Sequence, residues 1–286
     1  MDGSKEAARP GARALGLIAL DLDGTLVGTD GEMPAATVRS LRRAAAAGLH
    51  VTIITGRALP GLRQVLGAAG AAVLGASPLV GVEYGTRIVR LDGSGQACHE
   101  PLPDRLVAGF LSGLPLGAVE FVAYYPRDRA GRSVVWVPSP GSVPQIAAGM
   151  TDAEVGSGST AATLARLSAD RPSKIMVRLR PGAPGGTLGG TWRAGRNLNL
   201  LASKQTKGVA LLRVCGLLGV RLAASVAAGD HQADAAMLWL VPRGQRIVVG
   251  HDAGLAAMTS CLRVTTPADL GPAIGAAMLK ALGQPS

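Results

Sequence analysis

A short apolar segment, residues 15–20, runs directly into the hexapeptide Asp21–Leu26, whose sequence is DLDGTL. This pattern is typical of a buried parallel strand whose carboxyl end opens into a polar crevice, which is where open α/β sheets bind their ligands. In extended geometry the side chains of Asp21 and Asp23 leave the same side of the strand. Two adjacent carboxylates repel each other unless a cation or a proton lies between them. The hexapeptide therefore predicts a ligand site, not merely a capped turn.

A second β-branched run, Val51–Ile54, ends in Thr55 and Gly56 and is followed by a helix predicted to start at Pro60. A hydroxyl and a backbone N–H between a strand and a helix suit a phosphate oxygen. Alone, the tripeptide Thr-Gly-Arg is more typical of an ordinary strand-to-helix turn.

Two further segments lie in the second half of the chain. Lys207 begins an apolar helix, where its charge opposes the helix dipole and suggests an anionic partner, although a solvated lysine and the alternative candidate Lys204 stay open. Gly229 and Asp230 end a predicted strand, and Asp234 follows four residues later at the start of a helix.

In their order, these four segments resemble the motifs of the haloacid dehalogenase superfamily, most of whose members are magnesium-dependent phosphatases. The large insertion between the second and third segments is similar to that of the sugar-phosphatase, or Cof-like, branch with a type II cap. The likeness covers nearly the whole chain after about Ala14. It departs from the family at Ala233, where an Asn is usual, and at residues 81–85, where relatives often carry Asn-Gly. Two interpretations of Glu83 stay open there, a substrate-side carboxylate and a turn residue, of which we favour the turn residue.

The resemblance implies hydrolysis of a phosphate monoester through an aspartyl-phosphate. Asp21 is then the nucleophile, and Asp23 protonates the leaving alkoxide and later deprotonates water. The implied cofactor is Mg²⁺, bound by Asp21, Asp230 and the backbone carbonyl of Asp23. The resemblance implies that Asp234 orients these ligands without contacting the metal itself. The groups implied to bind the phosphoryl group, besides the nucleophile, are those of Thr25, Thr55, Gly56 and Lys207.

Alternating apolar strands and helices predict an α/β fold, a Rossmann-like parallel-sheet core with an inserted α+β cap domain. We expect the core in residues 13–100 and 203–286, the cap in residues 101–202 and a disordered N-terminus in residues 1–12. The main predicted elements are helices at 34–47, 60–69, 103–111, 160–167 and 268–282, and strands at 51–54, 71–74, 79–82, 121–125, 133–137, 174–179, 246–249 and 262–265.

Substrate choice is expected to lie in the cap, because the four motifs contact only the phosphate and the metal, which every substrate shares. Candidate contacts are Tyr124 or Tyr125, which point to opposite faces of one strand, together with Arg178 and His231. The scarcity of aromatic residues favours a sugar or polyol over a stacked base. Two alternatives stay open: a phosphomutase of the same superfamily, and a non-catalytic phospho-ligand-binding protein, for which Ala233 is the one supporting feature.

Composition narrows the remaining possibilities. The net charge is +10, mostly from Arg, but no basic run is dense or aromatic-interleaved enough to predict a nucleic-acid surface. The three cysteines are widely spaced and lack a C-x-x-C, which argues against a disulfide framework or a structural zinc site. Residues 181–190 are Gly-rich but lack the Gly-Lys-Ser/Thr of a P-loop. Because no apolar run reaches transmembrane length, we expect a cytoplasmic protein without a membrane partner, and its oligomeric state is open.

Overall fold

The computed structural model describes residues 16–74, 79–127, 133–137, 154–157, 160–183, 191–201 and 207–281. Within these ranges the chain forms a five-stranded parallel sheet and two further sheets of six and three strands. The predicted α/β class, with a parallel-sheet core and additional α+β structure, is confirmed. The expected disorder of residues 1–12, the alternative candidate Lys204 and most of the 181–190 segment lie outside the described residues.

The chain enters the core through β1 (Leu17–Leu20), whose four side chains are fully buried. The next elements are α1 (Ala35–Ala46), β2 (His50–Ile53) and α2 (Leu59–Ala71). β1 and β2 pair in parallel, as the intervening helix predicts. Helix α1 starts directly after Pro34 and ends before Gly48, whose φ of 86° lies in the left-handed region that favours glycine.

The strand expected at residues 71–74 is wrong. Ala71 ends α2, and residues 72–74 form a short 3₁₀ turn in which Val73 and Leu74 are buried. A short apolar run has no periodicity that separates a strand from a buried turn, which explains the error.

A small antiparallel sheet follows this turn. Its strands are β3 (Leu79–Val82), β4 (Arg87–Arg90) and β5 (Gln96–His99). It also meets the main sheet, because Ile54 and Gly81 form a parallel bridge. The turn after β3 is thereby held beside the end of β2.

The middle of the chain builds a separate layer, called the cap below. Its elements are α3 (Asp104–Gly113), β6 (Val119–Tyr124), β7 (Val134–Val137), β8 (Glu154–Ser157), α4 (Thr160–Asp170), β9 (Lys174–Leu179), β10 (Thr191–Ala194) and β11 (Asn197–Leu201). The strands form one sheet in the order β10-β11-β9-β6-β7-β8. Phe110 of α3 and Leu167 of α4 pack with Val177 of β9, so both helices cover the same face of this sheet.

The second half of the core completes the parallel sheet. Its elements are α5 (Lys207–Leu218), β12 (Ser225–Gly229), α6 (Ala235–Leu240), β13 (Arg246–Val249), β14 (Leu262–Val264) and α7 (Leu270–Ala281). The strand order is β14-β13-β12-β1-β2, and hydrophobic clusters cover both faces. The carboxyl ends of β12, β1 and β2 therefore lie side by side, which brings Asp230, Asp21 and Thr55 to one edge. None of the helices in the described ranges combines the length and apolar character needed to cross a membrane.

Candidate active site

A cleft of about 860 Å³ lies between the carboxyl edge of the parallel sheet and the cap. Six of the eight predicted site residues line it, namely Asp21, Asp23, Thr55, Gly56, Lys207 and Asp230. The other two, Thr25 and Asp234, are fully buried behind this lining. The cap contributes charged and polar side chains, among them Lys174, Arg178 and Asn197.

Lys207 is the centre of a buried charge cluster. Its Nζ donates to Asp21 Oδ1 and, at 2.6 Å, to Asp234 Oδ1. The three side chains are at most 7% exposed. Although burial by itself lowers the pKa of Lys207, the two carboxylates raise it above its ordinary value, so the ammonium stays charged. The anionic partner expected for this lysine is therefore a pair of the protein's own carboxylates.

Asp230 brings a third carboxylate to the cluster. One oxygen from each of Asp21, Asp230 and Asp234 lies within 4.8 Å of the others. Burial raises the pKa of Asp21 well above its ordinary value; Lys207 opposes this rise, and the charge of Asp234 adds to it. Burial also raises the pKa of Asp230. Because one ammonium does not balance three carboxylates, the cluster favours a further cation.

Thr25 and Gly24 fix the position of Asp230. Thr25 Oγ1 donates to Asp230 Oδ1 at 3.0 Å. This bond uses the single proton of the hydroxyl to hold Asp230 in place, and the phosphate contact expected of Thr25 stays a prediction. Gly24 has a φ of 84°, and a Cβ there would lie 2.2 Å from Asp230 Oδ2, so only glycine fits.

Asp234 is held by the backbone of its own loop as well as by Lys207. Its Oδ2 accepts the N–H groups of Asp230 and His231, each at 3.1 Å. Both oxygens of Asp234 thus have donors from the protein, which is consistent with a place behind the metal ligands. At the departure from the family pattern, the Ala233 N–H donates to His231 Nδ1 at 3.3 Å, and both residues line the cleft.

All three carbonyls of the turn Thr55–Arg57 are hydrogen-bonded. The donors are the Tyr84 N–H to Thr55 at 2.8 Å, Lys174 Nζ to Gly56 at 3.0 Å and the Glu83 N–H to Arg57 at 2.8 Å. The turn is therefore fixed from the small sheet on one side and from the cap on the other.

The same turn keeps two donors for a ligand. Thr55 Oγ1 accepts the Arg57 N–H at 3.1 Å, which leaves the hydroxyl proton of Thr55 available. Among the described residues, nothing accepts the Gly56 N–H. A Cβ at Gly56 would lie 2.6 Å from the Tyr84 ring, so glycine permits this close approach. An O–H and an N–H at a strand end suit an anion.

Asp23 is bound by Arg57, for which no role was predicted. Three hydrogen bonds, of 2.7, 2.8 and 3.1 Å, join the guanidinium to the carboxylate. Both side chains stay partly exposed, Arg57 at 40% and Asp23 at 51%. The sequence could have predicted this contact, because Arg57 follows β2 and Asp23 follows β1, and these two parallel strands are neighbours.

Glu83 links the core to the cap. Its φ of 55° and that of Tyr84, 62°, both lie in the left-handed region, where residues other than glycine are uncommon. Its carboxylate, only 2% exposed, accepts Ser173 Oγ at 2.6 Å and pairs with Arg87 at 3.4 Å. The interpretation of Glu83 as a turn residue describes its backbone but misses this buried contact.

Tyr124 is the last residue of β6 and Tyr125 follows it. The hydroxyl of Tyr124 donates to Asp170 of α4 at 2.8 Å, and its ring belongs to the hydrophobic cluster under the helices. Tyr125 lies on the cleft side, where burial and the charge of Glu83 raise its pKa to about 12. Both tyrosines line the cleft, but the hydroxyl of Tyr124 is bound to Asp170, so a substrate contact by Tyr125 stays the prediction.

Lys174 is a cleft-facing cation that the sequence did not single out. Besides its bond to Gly56, its Nζ lies 4.9 Å from the centre of the Tyr84 ring. Burial lowers the pKa of Lys174 to about 8, and the charge of Glu83 partly opposes this shift. The alternation of Lys174, Met176 and Arg178 along a predicted strand was the available signal.

Comparison with known proteins agrees with the motif pattern. Residues 18–96 match the family model described as haloacid dehalogenase-like hydrolase. A search of curated proteins found no significant match.

Solved structures resemble nearly the whole chain. BT1666 from Bacteroides thetaiotaomicron, a phosphatase of the haloalkanoate enzyme superfamily, is 18% identical over 98% of this chain and 99% of its own, with a TM-score of 0.69. A haloacid dehalogenase/Cof-like hydrolase from Plasmodium vivax is 16% identical over 96% and 97%, with a TM-score of 0.71. The subclass IIB sugar phosphatase BT4131 is 16% identical over 93% and 98%, with a TM-score of 0.69.

At these identities the solved structures establish the fold, and the family model covers the two N-terminal motifs. The likeness extends through the cap to the second half of the core. The resemblance stated from the motifs is thus confirmed: residues 18–96 match the haloacid dehalogenase-like hydrolase model, and nearly the whole chain has the fold of the solved Cof-like and subclass IIB sugar-phosphatase structures.

Proposed function

We propose that the chain is a Mg²⁺-dependent phosphatase that hydrolyses a small sugar or polyol phosphate through an aspartyl-phosphate on Asp21. The observation that carries this proposal is the buried cluster of Asp21, Asp230 and Asp234 around Lys207. It lies at the carboxyl edge of a parallel sheet and opens into a cleft beneath a cap. The likeness to a sugar phosphatase supports the same chemistry.

The carboxylate cluster fits Mg²⁺. Its donors are hard oxygen atoms, and their negative charge exceeds that of the single ammonium among them. Asp21, Asp230 and the backbone carbonyl of Asp23 would hold the ion. Asp234 would not contact the ion but would keep Lys207 and the Asp230 loop in place through its hydrogen bonds. When bound, the ion would supply positive charge for the phosphoryl oxygens.

In the first half-reaction an oxygen of Asp21 attacks phosphorus, a new P–O bond forms and the bond to the leaving group breaks. Lys207 holds the Asp21 carboxylate in place and favours its charged form. Asp23 gives a proton to the departing oxygen. Thr55 Oγ, the Gly56 N–H and Lys207 Nζ neutralise the phosphoryl oxygens.

In the second half-reaction Asp23 takes a proton from water, whose oxygen attacks phosphorus. The P–O bond to Asp21 breaks, phosphate leaves, and both carboxyl groups return to their starting states. Arg57 holds the Asp23 side chain in place beside the reacting groups through three charge-assisted hydrogen bonds. The contacts of Ser173 and Lys174 with the core keep the cap over the cleft, where it limits access of other water.

The test is release of inorganic phosphate from a panel of sugar phosphates, polyol phosphates and nucleotides at equal concentration with Mg²⁺. We expect one phosphate per ester consumed and a higher kcat/KM for the sugar and polyol esters. Transfer of the phosphoryl group to another sugar hydroxyl without release would instead indicate a phosphomutase. Binding without turnover would indicate a phospho-ligand-binding protein, and a preference for nucleotides would overturn the substrate class alone.

A further inference from the structure

Most charged side chains that line the cleft have a partner of opposite charge. The pairs are Arg57 with Asp23, Lys207 with Asp21 and Asp234, Arg87 with Glu83, and Arg196 with Glu120. These pairs neutralise one another before any ligand binds. A cation without such a partner is therefore the exception in this cleft.

Two cations are exceptions, and both belong to β9. Within the part of the chain that the structure describes, neither Lys174 nor Arg178 forms an ion pair. Lys174 makes its one hydrogen bond to the Gly56 carbonyl. Arg178 makes its one hydrogen bond to Asn197 on the neighbouring strand, with Nη1 donating to Oδ1 at 2.9 Å.

The two cations mark opposite ends of the cleft. Ile175, Val177 and Leu179 are buried under the cap helices, so the alternate residues of β9 face the cleft. Arg178 is four positions after Lys174, which corresponds to about 13 Å along an extended strand. Lys174 contacts the turn proposed to bind the transferred phosphoryl group, and Arg178 therefore lies towards the far end of the leaving group.

Among the residues that the structure describes, no carboxylate forms an ion pair with Arg178. Across the sheet, Phe121 of β6 lies opposite it, and the adjacent Glu120 is paired with Arg196. Asn197 lies opposite it on β11 and accepts one of its five N–H groups. The remaining N–H groups of the planar guanidinium can donate two parallel hydrogen bonds to a carboxylate or a phosphate.

We propose that Arg178 and Asn197 form a subsite for a second negative charge on the leaving group, a carboxylate or a second phosphate at the end remote from the transferred phosphoryl group. This inference rests on the proposed phosphatase function and narrows its substrate class to anionic sugars or polyols. Asn197 orients the guanidinium through its carbonyl oxygen and can donate its amide N–H to the same anion. The distance along β9 requires a leaving group of about hexose length.

The test compares esters that differ only in this second charge. Gluconate 6-phosphate and glucitol 6-phosphate have the same length and differ in a terminal carboxylate against a hydroxymethyl group. Mannitol 1,6-bisphosphate and mannitol 1-phosphate make the same comparison for a second phosphate. In at least one pair we expect the anionic ester to be preferred by about 10-fold or more in kcat/KM, and the pair that shows it identifies the group recognised.

Arg178→Gln should remove this preference and leave kcat/KM for the neutral esters within about 3-fold of wild type, because only the anionic end loses a partner. Arg178→Lys, which keeps the charge but not the fork, should retain part of the preference. Arg180→Gln is the matched control: it removes an exposed cap cation whose Nε donates to the Val119 carbonyl outside the cleft lining, and it should keep the full preference.

Three results overturn the proposal. The first is a wild-type protein that shows no preference in either pair. The second is an equal loss for charged and neutral esters in Arg178→Gln, or a loss of preference in Arg180→Gln as large as in Arg178→Gln. If Arg178→Gln does not fold, the single variants Asn197→Ala and Arg178→Lys are measured instead. An undiminished preference for the anionic ester in both of them overturns the proposal. The third is absence of phosphate release from every ester, including p-nitrophenyl phosphate, which overturns both the phosphatase proposal and the Arg178 subsite. Turnover of neutral esters without an anionic preference overturns only the Arg178 subsite.

Discussion

Lys207→Met removes the ammonium between two buried carboxylates and keeps an unbranched side chain of similar length. Lys207 makes two charge-assisted hydrogen bonds, to Asp21 and Asp234, each worth about 1.5–3 kcal/mol. Because these side chains are at most 7% exposed, water does not replace the lost bonds, and breaking a buried pair typically costs about 3–5 kcal/mol. We expect the free energy of unfolding to fall by about 3–5 kcal/mol at neutral pH without added metal.

Urea denaturation followed by circular dichroism, with EDTA present, measures this loss. Lys280→Met is the matched control, because Lys280 is exposed near the end of α7 and should change stability by no more than about 0.5 kcal/mol. In Mg²⁺ buffer, phosphate release by Lys207→Met should be reduced by about 100-fold or more. A Lys207→Met protein with wild-type stability and wild-type kcat would refute the claim that this ammonium holds Asp21 for attack.

Three further predictions concern the metal, the cap and the acid–base residue. EDTA followed by dialysis should abolish phosphate release and added Mg²⁺ should restore it, whereas activity that survives chelation contradicts the metal role. Because burial lowers the pKa of Lys174 from 10.5 to about 8, its charge costs stability below pH 8, and this cost fades as the pH rises towards 10.5. Lys174→Met should therefore raise the urea midpoint at pH 7 and raise it less at about pH 10; a larger gain at the higher pH contradicts the assigned shift. Arg57→Gln breaks a partly exposed pair, so the free energy of unfolding should change by less than about 1 kcal/mol while kcat falls about 10-fold, and an unchanged kcat contradicts a role in positioning Asp23.

The sequence was sufficient to predict the core side of the site. Asp21, Thr55 and Asp230 each follow a short apolar strand, and the carboxyl ends of neighbouring parallel strands meet at one edge. Local pattern and chain order therefore placed these side chains together. The hydrogen bond from Thr25 to Asp230 was not predicted, because it joins residues 205 positions apart and only the folded structure shows it.

The cap side of the site was less predictable. The contact of Lys174 with Gly56 joins residues 118 positions apart, and no periodicity encodes which polar residue of a strand meets a distant turn. The left-handed backbone at Glu83 and Tyr84 was also hidden, because these residue types rarely adopt it. Short strands such as β10 lie in polar, Gly-rich sequence, where packing in the cap sheet decides the structure more than local propensity does.

The central claim, that Asp21 carries the phosphoryl group, is tested most directly by phosphate release from purified Asp21→Asn. This change removes the attacking charge but preserves the shape of the side chain, so the protein should fold as wild type does and release no phosphate above a mock preparation. Asp92→Asn, the same chemical change in an exposed turn, should retain full activity. Phosphate release by Asp21→Asn at a rate comparable to wild type would contradict the account.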